Sequence, residues 1–477
     1  MRELLTHYSL RYIPTLLYML QASEYQPRDY MAWLRRTRNF SNVAKRRNLD
    51  YTTKAKLLAI AMWGIAALSI GLFGWMIYSG IDEGSYRTFI IGILGLLLLP
   101  WLLAYAVLVP LVSGRLLIQI PRERSLIAAA RKKLNNHKGY KIAIAGSYGK
   151  TTAKEILKTV LSEGKKVAAT PGNMNTPIGI SRFVMKLDGD EDILIFELGE
   201  ARVGDVRQLC DLTMPDAGVI TGISEAHLET FGTIDNIVST IFELQDSLGD
   251  KPLYANADNE LINKRATDKA IKFSNKKAGE WHVKKASSSI EGTEFTIAKG
   301  SRELTIHAGL LGEHNVGIMA ATVAIADEFG LSDEQIIKGF SQVVPFEHRM
   351  QPRKLHGAWI IDDTYNGNSE GMRVGLELLK ELSAKRRLYV TPGLVEQGDE
   401  TAAIHHRIGG MIADSADVTF LMKNSVTDYI VEGLESSGYK GELRIIDDPL
   451  DFYQNIDQFI AAGDVVLMQN DWTDNYA

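Results

Sequence analysis

Tyr140-Lys-Ile-Ala-Ile-Ala145, then Gly146-Ser-Tyr-Gly-Lys-Thr-Thr152, then Ala153-Lys-Glu-Ile-Leu-Lys-Thr-Val-Leu161 is the stretch whose reading decides the fold. An apolar, β-like run turns through two glycines into a run with helical periodicity. Such a turn aims backbone N–H groups and the positive end of a helix dipole at one point, which makes a cradle for phosphate. Lys150 adds a mobile cation for β- and γ-phosphates, and the Thr151 or Thr152 hydroxyl is placed to hold Mg²⁺. The strict pattern G-x-x-x-x-G-K-[ST] asks for glycine at position 144, where this chain has Ile144.

Outward from the loop, residues 139–345 alternate between strand-like and helix-like segments. Ile193-Leu-Ile-Phe196 and Ala217-Gly-Val-Ile220 read as buried parallel strands, so ligands are expected at the carboxyl ends of an α/β sheet. A second α/β unit, 346–477, is expected to carry strands at Trp359–Ile361, Arg387–Val390, Val418–Leu421 and Val465–Met468. Three further features stand at predicted strand ends. Glu197, just past Ile193–Phe196, is placed to meet a metal directly or through water. His227 lies in Glu225-Ala-His-Leu-Glu-Thr-Phe-Gly232, and an isolated histidine in such a loop serves structure as readily as ligation. Asp362 and Asp363 lie in Asp362-Asp-Thr-Tyr-Asn-Gly-Asn368, a composition that favours turns in any case.

The N-terminal part departs from the soluble pattern. Leu57–Tyr78 and Phe89–Val112 are almost wholly apolar and carry no charged residue, each long enough to cross a hydrocarbon core of roughly 30 Å. Arg35, Arg36, Arg38, Lys45, Arg46, Arg47, Lys54 and Lys56 precede the pair, and Arg115, Arg122, Arg124, Arg131, Lys132 and Lys133 follow it. The connection holds Asp82 and Glu83 with Arg87 as its single basic residue. This asymmetry predicts a two-pass hairpin over 56–113 with both flanks in the cytoplasm. Residues 1–55 are expected to form one or two amphipathic helices against the inner leaflet, a soluble cap being the alternative, and 114–138 a basic linker helix. Lys and Arg number 53 against 58 Asp and Glu, a net charge of −5 that argues against nucleic acid as a partner. Cys210 is the single cysteine, which excludes a disulfide framework and a cysteine-based zinc site.

From Gly146 onward the chain resembles the Mur ligases, nearest to the D-alanyl-D-alanine-adding type. The matching segments run in family order: Gly146–Thr152, Thr170-Pro-Gly-Asn-Met-Asn-Thr-Pro-Ile-Gly179, Glu197-Leu-Gly199, Ala226-His-Leu-Glu-Thr-Phe-Gly232, Gly312-Glu-His-Asn-Val316, His348-Arg349, Asp362–Asn368 and His405-His-Arg-Ile-Gly409. The resemblance implies an ATP-binding central domain and a C-terminal Rossmann-like domain. It implies ATP and Mg²⁺, with Gly146, Ser147, Gly149, Lys150, Thr151 and Thr152 around the phosphates. Lys150, Glu197 and His227 would be catalytic, and Thr151, Glu197 and His227 would hold the metal. Asn315 would lie near adenine, with Arg349 and Asp363 reaching the nucleotide. The implied reaction activates a muramoyl-peptide carboxylate, UDP- or lipid-linked, as an acyl phosphate that a dipeptide or amino-acid amine attacks.

Departures accompany the resemblance. The lysine expected fourteen residues after the histidine is Ile241, the second asparagine of the H-N-x-x-N run is Ile318, and the usual K-G-S-R segment reads Gln469-Asn-Asp-Trp472. The family's UDP-sugar-binding N-terminal domain has no counterpart, and the hairpin stands in its place. The leading expectation is a ligase anchored in a bacterial cytoplasmic membrane. A Mur-type ligase for another polymer and a nucleotide-binding scaffold are the alternatives.

Overall fold

The computed structural model describes residues 6–9, 11–23, 25–37, 49–172, 174–225, 228–365, 367–394 and 397–470. Met1–Ser125 and Leu126–Ala477 form two compact units.

In the first unit, helices Thr53–Asp82 and Tyr86–Ala106 pair as a hairpin, each opened by a side-chain cap, from Thr52 to Ala55 N–H and from Ser85 to Thr88 N–H. Glycine lets them approach: a Cβ on Gly95 would stand 2.3 Å from the Phe73 ring. Helix Tyr12–Ala22 precedes the hairpin in the chain. It packs on the hairpin, where Leu16, Leu20, Met62 and Val107 are all 0 % exposed. The Tyr12 hydroxyl donates to the Pro100 carbonyl at 3.0 Å and the Tyr30 hydroxyl to that of Ala104 at 2.9 Å. The leucine face and these two hydroxyls draw the segment onto the helices. Much of the hairpin's apolar surface stays uncovered, with Leu57 63 %, Leu68 76 % and Trp75 63 % exposed.

The second unit holds two sheets. The central sheet comprises Tyr140–Ala145 (β1), Val167–Ala169 (β2), Ile193–Glu197 (β3), Ala217–Ile220 (β4), Leu253–Asn256 (β5), Ile271–Ser274 (β6), Lys277–Ala278 (β7), Trp281–Ser289 (β8), Gly292–Lys299 (β9) and Arg302–Ala308 (β10), in the order β10-β9-β8-β7-β6-β5-β4-β1-β3-β2. From β2 to β6 the pairing is parallel. Strand β1 alternates as a doubly covered strand should. Ile142 and Ile144 join a core with Ile156, Leu157 and Val160. Ala143 and Ala145 face the other core, with Ile180, Leu209, Ile241 and Leu244. Ala130 and Leu134 of helix Ile120–Asn136 complete that second core. The expected alternation of strand and helix to residue 345 fails at β6. Residues 271–308 are successive antiparallel strands instead, because tight turns rather than crossover helices join them.

The C-terminal sheet comprises Gln351–Leu355 (β11), Ala358–Asp363 (β12), Arg387–Thr391 (β13), Val418–Met422 (β14), Glu442–Ile446 (β15) and Val465–Gln469 (β16), in the order β11-β12-β16-β13-β14-β15. All its pairs are parallel except β11 with β12. The expected strands of this half are all present. The edge strands β11 and β15 were not anticipated.

Candidate active site

The phosphate loop leaves β1 between its two parallel neighbours, where Ile144 stands in register with Glu197 of β3 and Ala145 with Ile220 of β4. Gly146 has φ +148°, and a Cβ there would lie 2.3 Å from Thr221 Oγ1, so the close approach needs glycine. The Ser147 N–H donates to the Gly222 carbonyl at 2.7 Å, fixing the loop to the turn after β4. Gly149, at φ +77°, caps helix Lys150–Leu161, so the helix begins at the lysine itself.

Two carboxylates from the end of β3 face this helix start. Glu197 ends the strand rather than following it and is 3 % exposed. Its Oε2 accepts from Thr151 Oγ1 at 3.1 Å and lies 3.2 Å from Lys154 Nζ, while Oε1 accepts from Asn175 Nδ2 at 3.2 Å. The Glu197 N–H donates to Thr170 Oγ1 at 3.0 Å, so the segment after β2 braces both backbone and side chain. Glu200 takes the other cation. Lys150 Nζ donates to both its carboxylate oxygens at 2.9 Å, and also to the Gly146 carbonyl.

These residues fit nucleotide and a hard divalent cation. Thr151 Oγ1 and Glu197 Oε2 are adjacent oxygen donors of the kind Mg²⁺ takes. Ser147 Oγ, inside the loop, is buried without a hydrogen-bond partner of its own. Thr152 belongs to the first turn of the same helix. His227 and Ala226 lie outside the described residues, as do Asn173, Asn366 and residues 471–477.

A cleft of about 420 Å³ opens beside the loop, lined by Tyr148, Ser224, Asn259 and, from the C-terminal domain, Glu370, Arg373 and Arg407. Asn259 Nδ2 donates to the Ile223 carbonyl at 2.9 Å and to Tyr148 Oη at 3.3 Å. Burial pushes the Tyr148 phenol upward against that hydrogen bond. Glu225 joins the domains, accepting from Ser369 Oγ at 2.8 Å and lying 3.8 Å from Arg407.

Arg349 and Asp363 form a second cluster, on the C-terminal domain. Asp363 and Gln469 are register partners at the ends of β12 and β16. Gln469 Nε2 donates to Asp363 Oδ2 at 2.8 Å, and the Met350 N–H to Oδ1 at 3.3 Å. Burial pushes the Asp363 carboxyl up to about 6, against the opposing pull of Gln469 and Arg349. The Arg349 guanidinium stacks 4.7 Å from the Tyr365 ring centroid. Asn315 turns back to donate to the Leu311 carbonyl at 2.8 Å. Ile241 is 0 % exposed in the core, where a lysine's charge would be costly. His405, also 0 % exposed, accepts the Leu394 N–H on Nε2 at 2.9 Å and donates from Nδ1 to Thr401 O at 2.6 Å.

Lys154, Asn175 and Glu200 were not singled out from sequence. Asn175 and Lys154 fall within the segments around the loop and its following helix, whereas Glu200 lies just past Gly199, and no spacing signal marks either charge.

A glycine-turned phosphate loop with a strand-end carboxylate on its threonine, set in a parallel sheet beside a second α/β domain, defines an ATP-dependent enzyme of the P-loop class. The chain belongs to the Mur ligase family. Residues 144–326 match the Mur ligase middle domain and 348–469 the Mur ligase, glutamate ligase domain, together well over half of its length. It is similar to the UDP-N-acetylmuramoyl-tripeptide–D-alanyl-D-alanine ligase of Bacillus subtilis, 29 % identical over 69 % of this chain and 72 % of that one. Against the Escherichia coli enzyme of the same name it is 28 % identical over 56 % of this chain and 61 % of that one. Among solved structures, MurF of Thermotoga maritima in complex with ADP superimposes with a TM-score of 0.65 at 26 % identity, covering 73 % of this chain and 80 % of that one. MurF from Acinetobacter baumannii has the same fold, with TM-score 0.65, 23 % identity and coverage of 73 % and 77 %.

Proposed function

We propose that the chain is a membrane-anchored ligase that joins D-Ala-D-Ala to a muramoyl-tripeptide acceptor at the expense of ATP. The observation that carries this is the Thr151–Glu197 pair at the mouth of the phosphate loop. In the reaction the acceptor carboxylate attacks the γ-phosphorus of ATP, forming an acyl phosphate and releasing ADP. The dipeptide amine then attacks the acyl carbon, loses a proton and expels inorganic phosphate. Phosphoryl transfer asks the protein for positioning and charge neutralisation more than for covalent help. The loop amides and Lys150 receive the β- and γ-phosphates, while Thr170 and Asn175 keep Glu197 aimed at Thr151. Mg²⁺ held by Thr151, Glu197 and His227 would neutralise charge on the transferring phosphoryl group. Arg349 and Asp363 are assigned to the nucleotide from the C-terminal side, and Asn315 to the adenine.

Anchoring is supported by the hairpin's uncovered leucines and tryptophans and by the basic residues flanking it. The hairpin precedes the Mur ligase middle domain, and a ligase held at the bilayer favours a lipid-linked acceptor at the inner leaflet. The test offers the full-length protein in detergent a UDP-linked and a lipid-linked tripeptide, each with D-Ala-D-Ala and ATP. Higher kcat/KM on the lipid-linked acceptor is expected, and preference for the UDP-linked one would overturn that choice.

A further inference from the structure

We propose that Glu200 is a positioning residue that acts through Lys150, as an exchangeable counter-ion which nucleotide phosphate must displace. The inference rests on nucleotide binding at the loop. Glu200 follows the end of β3 by three residues, and its side chain is 4 % exposed. Both its oxygens lie 2.9 Å from Lys150 Nζ, and the ammonium is turned back onto the Gly146 carbonyl. Lys150 therefore points at its own loop backbone and at a carboxylate.

The neighbouring acid is committed elsewhere. Glu197 holds Thr151 and Lys154, and Lys154 is 0 % exposed with a second anchor on the Gly172 carbonyl at 3.1 Å. The helix start thus carries two lysines, each facing a glutamate from the end of β3, with Glu155 a further partner of Lys154 at 3.4 Å, and the pairs differ. Lys154 is locked in the interior, whereas Lys150 stands at the mouth with 13 % of its side chain exposed. A phosphate oxygen that binds Lys150 Nζ comes within a few ångströms of the Glu200 carboxylate, and like charges at that range in a dry site repel strongly. The carboxylate must swing away or share the ammonium. In either case it lowers affinity for the bound nucleotide and holds Lys150 back against its own loop until phosphate arrives.

The test is calorimetric titration of ADP into the full-length protein in detergent, with EDTA present so that divalent cations play no part. Wild type is compared with Glu200→Gln, which keeps the shape and one acceptor, and with Glu200→Asp, which keeps the charge. Glu200→Gln is expected to bind ADP about tenfold more tightly, which corresponds to about 1.4 kcal/mol, and to lower the KM for ATP more than it changes kcat. Glu200→Asp is expected to stay within about threefold of wild type. A merely structural glutamate would leave ADP affinity unchanged or weaken it on substitution, and either result overturns the proposal. Failure of the wild type itself to bind ADP would instead overturn the nucleotide-site reading beneath it.

Discussion

Lys154 Nζ lies 3.2 Å from Glu197 Oε2 with none of its side chain exposed. The pair ties the second turn of helix Lys150–Leu161 to the end of β3, and the Gly172 carbonyl closes the triangle at 3.1 Å. A carboxylate so held has one orientation, and that orientation faces Thr151.

Removing one partner from a buried ion pair strands the other charge, at a cost of roughly 3 to 5 kcal/mol. Lys154→Met is therefore expected to lower the unfolding midpoint markedly in thermal denaturation. Adding Glu197→Gln to that background should recover part of the loss, because the two sites couple. Additive losses in the double variant would show that the pair does not act as a unit.

Gly146→Ala places a methyl group 2.3 Å from Thr221 Oγ1 at a φ of +148°. The Ala145 and Tyr148 carbonyls hold Thr221 Oγ1 in place, so making room means breaking those bonds or opening the turn after β4. ADP affinity is expected to fall at least about a hundredfold, with far-ultraviolet circular dichroism unchanged. Wild-type ADP affinity in this variant would mean that the loop is not the phosphate site.

Asp363 supplies a pH dependence. Burial raises its carboxyl from 3.8 to about 6, so between those values the folded chain holds a proton that the unfolded chain has lost. Its contribution to stability is fully present below pH 3.8 and is lost as pH rises through about 6. Asp363→Asn removes that loss, so the variant should gain stability relative to wild type between pH 4.5 and pH 7.5, read by thermal unfolding at both. A constant difference across the two pH values would place the titration elsewhere. If the ionised form serves the nucleotide, kcat/KM for ATP should also fall below about pH 6 in the wild type alone.

Much of this was legible in the residues, for identifiable reasons. Ile193–Phe196, Val418–Leu421 and Val465–Met468 are covered on both faces, so the first and last read as unbroken apolar runs and the second is interrupted only by the buried Thr419. The Gly-Lys-Thr turn announces itself because only a helix start after a strand uses that chemistry. Strands β11 and β15, with sequences Gln-Pro-Arg-Lys-Leu and Glu-Leu-Arg-Ile-Ile, lie at the sheet's edges; the first is largely polar and the second is broken by Glu442 and Arg444, so neither carries such a run. Strands β7 to β10 are joined by turns too short to separate them from the preceding α/β rhythm. Lys154 and Glu200 were illegible for another reason: a lone charge on a helix or loop looks solvated until the sheet brings Glu197 and Lys150 beside it. Helix Tyr12–Ala22 reads as amphipathic, but its partner is the hairpin beside it, which composition cannot specify.

The most direct test of ligation at this loop measures phosphate release by the full-length protein in detergent with ATP and Mg²⁺. D-Ala-D-Ala and a UDP- or lipid-linked muramoyl tripeptide are supplied singly and together, with the product read by mass spectrometry. Release is expected only when acceptor and amine are both present, with one amide formed per phosphate. Lys150→Ala should reduce the rate by about a hundredfold to a thousandfold while leaving the fold intact. Intact ATP binding without amine-dependent phosphate release on either acceptor would contradict the ligase account, as would a Lys150→Ala variant that turns over like wild type.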